Sequence, residues 1–246
     1  MEVHAHSHTA RKKWTHYFWE FLMLFLAVFC GFLAEYQLEH KIEKDREKQF
    51  IASLVSDLKD DTHKITAHIE NMEKSVLLFD TLSILLESPD AAKKNGEAIY
   101  YTSRMGIRSA PFANNSRTFD QLKNSGGFRL IQDTGTSGRI MKYYSLFPEL
   151  RMVEEIFNTE NTAFKAIASR IMDHSIYRIQ VNHDGSVARI PGNLALLTYD
   201  VVQLRQLGFY AVQMNGSRKG MIPLLRKIKQ SAQELLMFLQ KTYHLK

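Results

Sequence analysis

The stretch FWEFLMLFLAVFCGFLAEY, residues Phe18 to Tyr36, decides how the rest of the chain is to be understood. Three structures compete for it: a membrane span, a cleavable export signal, and an apolar core helix. The uninterrupted apolar run is Phe21 to Ala34, short for a span by itself. Extended from Tyr17 to Tyr36, with Glu20 and Glu35 near its ends, the segment reaches about 30 Å at about 1.5 Å per residue, the thickness of the hydrocarbon layer.

Energetics favour insertion. The Leu, Phe and Val side chains between Phe18 and Leu33 each favour the bilayer by about 0.3–0.6 kcal/mol, together about 3–6 kcal/mol. A carboxylate at the centre of a span costs about 2.5–3.5 kcal/mol and less near an edge, where Glu20 lies. Cleavage needs small residues at −1 and −3, and Phe32 or Phe29 occupies −3 for the cuts after Ala34 or Gly31. Phe29 also spoils a lipoprotein signal ending at Cys30. The expectation is therefore a retained single-pass anchor, 17–36, in contact with the lipid bilayer.

The flanks orient it. Arg11-Lys12-Lys13 precedes the span, whereas the basic residues of Glu35 to Lys48 are interleaved with acids. The positive-inside rule then places the N-terminus in the cytoplasm and the C-terminal domain in the periplasm, across the cytoplasmic (inner) membrane. Trp14, Tyr17, Phe18 and Trp19 would form the inner aromatic belt and Tyr36 the outer one. Ala27-x-x-x-Gly31 would allow close helix approach, although small residues occur in any span.

Beyond the span a second pattern begins. Ile51, Val55, Leu58, Thr62, Ile65, Ile69, Met72, Val76 and Phe79 recur at alternating steps of four and three, with polar residues such as Asp57, Lys59, Asp60, Lys64, Glu70, Glu73 and Lys74 between them. A long amphipathic helix over 37–88 follows, ended by Ser88-Pro89. The stripe is either a homo-oligomer seam or one helix of an intrachain bundle. Leu224, Leu225, Ile228, Leu235, Phe238 and Leu239 supply a matching stripe near the C-terminus, so the intrachain antiparallel pair is preferred.

The remainder, 89–246, reads as a helical bundle domain. Short helices are expected over Gly96–Met105 and Ser116–Asn124, the second capped by Ser116 and stopped by Ser125-Gly126-Gly127. Ser137–Phe147 and a long helix from Pro148 to about Ile176 follow. Arg178–Ile190 reads as a small β-hairpin around Asn182-His183-Asp184-Gly185. Helical patterns resume over Leu194–Met214, and Pro223 opens the last helix. The fold class is thus mainly α.

Composition bounds the chemistry. The chain has 246 residues, enough for a sizeable core, 45% of them hydrophobic and 24% charged. Its formal charge of +6 resides in Ser217–Lys246, leaving the rest near neutral. That basic helix would suit nucleic acid or anionic lipid, but no aromatic-interleaved nucleic-acid motif accompanies it, and a solvated face is the simpler reading. The lone cysteine, Cys30, excludes an intramolecular disulfide.

Two stretches could carry chemistry. Asp133-Thr134-Gly135-Thr136-Ser137 matches the aspartic-protease signature, where two Asp share a proton and activate water on a β framework. It sits between helical patterns without a second Asp-Thr-Gly, and the same residue types cap helices. His4, His6 and His8, within a His-rich basic tail 1–16, alternate in a manner that can hold zinc, nickel or copper weakly. No phosphate-binding loop, nucleophile elbow or His-Glu-x-x-His motif occurs, and no cofactor is expected.

The His-rich start, KKWTHYFWEFLMLFLAVFCGFLAE running into EHKIEKDREKQFIASLVSDLKDD, QLKNSGGFRLI, and the terminal ELLMFLQKTYHLK together resemble a family of single-pass membrane proteins of Gram-negative bacteria that carry a domain of unknown function. The similarity runs nearly end to end and is strongest over residues 1–60 and at the two later stretches. Phe29-Cys30 departs from the smaller residues that the family leads one to expect there. The resemblance implies a membrane anchor followed by a helical domain, with Asp133-Thr134 in a variable loop that leads into a helix, and no known activity or site residues. The expected function is a membrane-anchored, non-enzymatic scaffold or protein-interaction module of the bacterial envelope, with a protein partner or homo-oligomer formed through the helices and no nucleic acid. The alternatives are a membrane-tethered aspartic-type hydrolase using Asp133 and a weak metal-binding protein using the His tail.

Overall fold

The computed structural model describes residues 13–108 and 110–245. It is mainly helical, and the chain divides into two compact units, Met1–Phe50 and Ile51–Lys246.

In the first unit, Trp14 opens the long helix α1 (Trp14–Leu85), which continues into the second. Its N-terminal part is apolar around its whole circumference and buried by nothing: Phe21 is 65% exposed and Leu24 67%. Phe21, Phe25 and Phe29, one helical step of four apart, stack with centroids 6.3 and 5.9 Å apart. This is a helix long and apolar enough to cross a membrane, near the N-terminus.

The second unit is a helical bundle. From Ile51 the heptad stripe of α1 turns inward, and Ile51, Leu58, Ile65, Met72 and Phe79 are buried. Each such side chain contributes about 1.5–3 kcal/mol on leaving water. The stripe is thus covered within the chain. Five further helices, α2 (Pro89–Lys94), α3 (Gly96–Gly106), α4 (Arg117–Asn124), α5 (Thr134–Tyr144) and α6 (Phe147–Ile171), lead to a short α7 (His174–Ile179) and a long α8 (Val201–Tyr243).

α8 runs antiparallel to both long neighbours. Asp80 of α1 meets Asn215 and Lys219, while Glu73 meets Arg226 at 2.7 Å. On the other side Glu160 of α6 accepts from Ser217 at 2.7 Å, and Glu149 lies 3.9 Å from Lys227. Leu225, Ile228, Leu235 and Leu239 of the anticipated C-terminal stripe are buried, with Leu224 and Phe238 half-buried at its margins.

Several boundaries differ from the sequence reading, each for a physical reason. Pro223 does not open a helix but lies inside α8. It sits on the exposed face, where water reaches the carbonyl it deprives of a partner, while Met221 and Leu225 stay in the core. The preceding segment 191–200 is irregular, and Asp200 caps α8 by accepting from Gln203 N–H at 2.9 Å. The long helix from Pro148 breaks at Met172, whose extended backbone lets Asp173 cap α7. In place of the hairpin, Arg178 and Ile179 finish α7, and a single antiparallel bridge, Val181 to Val187, closes the turn through Gly185. The described residues contain no strand. Ser116 does not cap α4 with its side chain, because its hydroxyl donates to Asp120 at 2.6 Å.

Gly96 is dictated by close approach: a Cβ there would stand 1.7 Å from the Leu194 carbonyl oxygen. Asn193 fastens the same contact, accepting from Gly96 N–H and donating to the Lys93 carbonyl at 2.6 Å.

Candidate functional site

The carboxylates of α1 are not all on its wet face. Asp57, grouped above with the polar exterior, is buried, and so is Asp61 one turn later. Asp57 accepts from the Thr118 hydroxyl at 2.5 Å. Asp61 accepts from Asn115 N–H and the Tyr143 hydroxyl, both at 2.8 Å. Burial holds the Asp61 carboxyl above its ordinary range against these two donors, and it pushes the Tyr143 hydroxyl up still further. This network pins the irregular segment 110–116 against α1 and α5. It is a structural clasp.

The same segment roofs a second polar cluster. Glu154 of α6 accepts from Phe112 N–H at 2.8 Å and pairs with Arg151 at 3.0 Å. Arg218 of α8 is 2% exposed, and its guanidinium lies 3.6 Å from the Phe157 ring centroid. Burial pushes Arg218 down to about 10, with Glu154 acting the other way. His68 of α1 is half-buried, 5.6 Å from the Phe112 ring. Burial lowers it, as does Arg218, against an opposing pull from Glu154.

Two adjoining cavities open beside this cluster, entirely within residues 51–246. One, of about 470 Å³, is walled by Ile107, Phe164, Ala168, Met172, Tyr177 and Val181, with Arg104 lying 4.9 Å from the Tyr177 ring. The other, of about 650 Å³, is of mixed lining: His68, Asn71, Lys74, Ser75, Asn161 and Arg218 bring polar groups beside Met72, Leu78 and Met105. Ile107, Arg108 and Lys165 belong to both. Both volumes fall in the range of small-molecule sites. Neither wall contains an Asp or Glu.

The residues singled out in the sequence lie elsewhere. Asp133 is the N-cap of α5, accepting from Thr136 N–H at 2.8 Å, its hydroxyl at 2.6 Å and Gly135 N–H at 3.2 Å. These bonds, Thr136's first, hold its carboxyl below the usual range. The cap falls one residue before Thr134, so Thr134 and Thr136 are inside the helix they were read as preceding. His4, His6 and His8 lie outside the described residues. His16 is described, its Nε2 3.0 Å from Glu20 on the next turn of α1. Among the described residues no group of three His, Cys, Asp or Glu is placed to hold a metal ion.

The lining of the paired cleft was not anticipated. It is drawn from α1, α3 and the segment after it, α6, α7 with its flanking residues, and α8, and no local motif joins Lys74, Arg108 and Lys165. No family model, curated protein or solved structure matches the chain.

Proposed function

We propose that the protein is a membrane-anchored, non-enzymatic binding module of the bacterial envelope, passing once through the cytoplasmic membrane with its N-terminus inside and its helical domain in the periplasm. The observation that carries this reading is the apolar, wholly unburied N-terminal part of α1. In water such a surface would be a large liability, and a bilayer removes it. Arg11-Lys12-Lys13 before the span supports the orientation. The anchor leaves the domain's cavities and exposed helix faces for partners, whether a ligand, another protein or a second copy of the chain.

Fractionation tests the anchor. The full chain should stay with membranes through alkaline carbonate extraction, and a Leu26→Arg, Val28→Arg variant should be released. Release of the unaltered chain by carbonate would refute the reading.

A further inference from the structure

We propose that the paired cleft is a binding site for a small single-chain amphiphilic anion, with its apolar part in the cavity beside α7 and its phosphate or carboxylate head on the shared wall. The inference goes beyond the membrane reading and does not depend on it, because every lining residue lies in the second unit.

Three observations converge. First, the cavities differ in character but share a wall. Phe164, Ala168, Met172 and Tyr177 offer an apolar sleeve, whereas His68, Asn71, Ser75 and Asn161 offer hydrogen-bonding groups. A ligand reaching from the first cavity to the shared wall passes from apolar side chains to the cations Arg108 and Lys165.

Second, the charge is of one sign. Lys74, Arg104, Arg108 and Lys165 line the cleft and no Asp or Glu lines it with them, while Arg218, which also reaches it, is acted on by Glu154. Some cations elsewhere in this unit are neutralised, as Arg189 is by Glu97 at 3.2 Å, Lys219 by Asp80 and Arg226 by Glu73. Among the described residues Lys74, Arg108 and Lys165 have no ion-pair partner. Arg108 and Lys165 stand where the two cavities meet, so an anionic head there would be held by a fork and a point charge together.

Third, the second cavity has unmet hydrogen-bonding capacity. Asn161 Oδ1 and His68 Nε2 are buried without a partner, which is uncommon and costly unless a bound group supplies one. A hydroxyl next to the anionic head would satisfy Asn161.

The test titrates octyl phosphate, octan-1-ol and inorganic phosphate by calorimetry into the full chain in lipid nanodiscs, with empty nanodiscs as the partition control. Octyl phosphate is expected to bind saturably and at least tenfold more tightly than either of its halves. Lys165→Glu, at an exposed position, should weaken it at least tenfold. Ser169→Trp, also exposed and one turn along α6 at the apolar mouth, should reduce octyl phosphate to the affinity of inorganic phosphate. Helical content by circular dichroism should be unchanged in both variants, and if Ser169→Trp misfolds, Lys165→Glu alone decides. Octanoate binding more tightly than octyl phosphate would assign a carboxylate head, and the reverse a phosphate. Absence of saturable binding above empty nanodiscs, or binding indifferent to Lys165→Glu, would overturn the proposal.

Discussion

Tyr143 donates its hydroxyl to the buried carboxylate of Asp61 at 2.8 Å, joining residues 82 positions apart and fastening α5 to α1. Asp61 also receives Asn115 N–H, and Tyr144 donates to the Asn115 carbonyl at 2.9 Å. The heptad stripe of α1 is therefore interrupted on its inner side by a carboxyl group that the rest of the domain must satisfy.

Tyr143→Phe removes one of two donors to that carboxylate. Leaving a buried group short of a partner costs about 1–3 kcal/mol, and we expect a loss of this size in urea unfolding at pH 7. The Asp61 carboxyl already has a raised folded value, and losing Tyr143 raises it further. The penalty is then greatest where Asp61 is ionised and shrinks as acid protonates it. Wild type and variant should converge between pH 7 and pH 4, and a gap that widens on acidification would contradict this account.

His68 supplies the opposite sign. Its folded value lies below the ordinary 6.5, so the unfolded chain binds the proton more readily. Stability should fall as pH drops from 6.5 through the lower folded value. His68→Gln should flatten that part of the dependence, read as unfolding midpoints at pH 7 and pH 5. An unchanged slope would show that His68 does not carry it.

Pro223 withholds a hydrogen bond from the Lys219 carbonyl inside α8. Proline within a helix is about 3 kcal/mol worse than alanine, part of which water at this exposed face already offsets. Pro223→Ala should raise stability by about 1–3 kcal/mol in chemical denaturation. A loss instead would mean that the packing of α8 depends on the distortion proline imposes.

Asp133→Ala deletes the N-cap of α5 and should lower Tm at pH 7. The carboxyl's folded value is depressed, so its contribution is complete above an unfolded value of 3.8 and is lost as pH falls through the lower folded one. The difference in Tm should therefore close in strong acid. The same variant should show no loss of pepstatin-sensitive peptide cleavage, because the account gives Asp133 none to lose.

The long elements were legible because their signals are periodic. Ile51 to Phe79 recurs too regularly to be anything but one helix face, and most of that face is buried within the chain. Breaks were harder to see, because a local residue type does not reveal whether its face is wet. Pro223 has the signature of a helix start but is tolerated in mid-helix by exposure, while Asp173, an ordinary acid in sequence, caps a new helix directly after the break at Met172. Asp57 was misplaced for a related reason: a carboxylate reads as exterior until a donor such as Thr118, 61 residues away, is brought to it. The paired cleft lay further out of reach, since Lys74 of α1, Arg108 just beyond α3 and Lys165 of α6 converge only once those elements have packed.

The proposed placement of the helical domain, across the membrane from the N-terminus, can be measured directly because the chain has a single cysteine. Cys30→Ser gives a cysteine-free chain, into which Lys229→Cys places one thiol near the surface of α8. Intact spheroplasts are then treated with a membrane-impermeant maleimide before and after lysis. Full labelling before lysis is the predicted result. Labelling only after lysis would put the bundle in the cytoplasm and contradict the account.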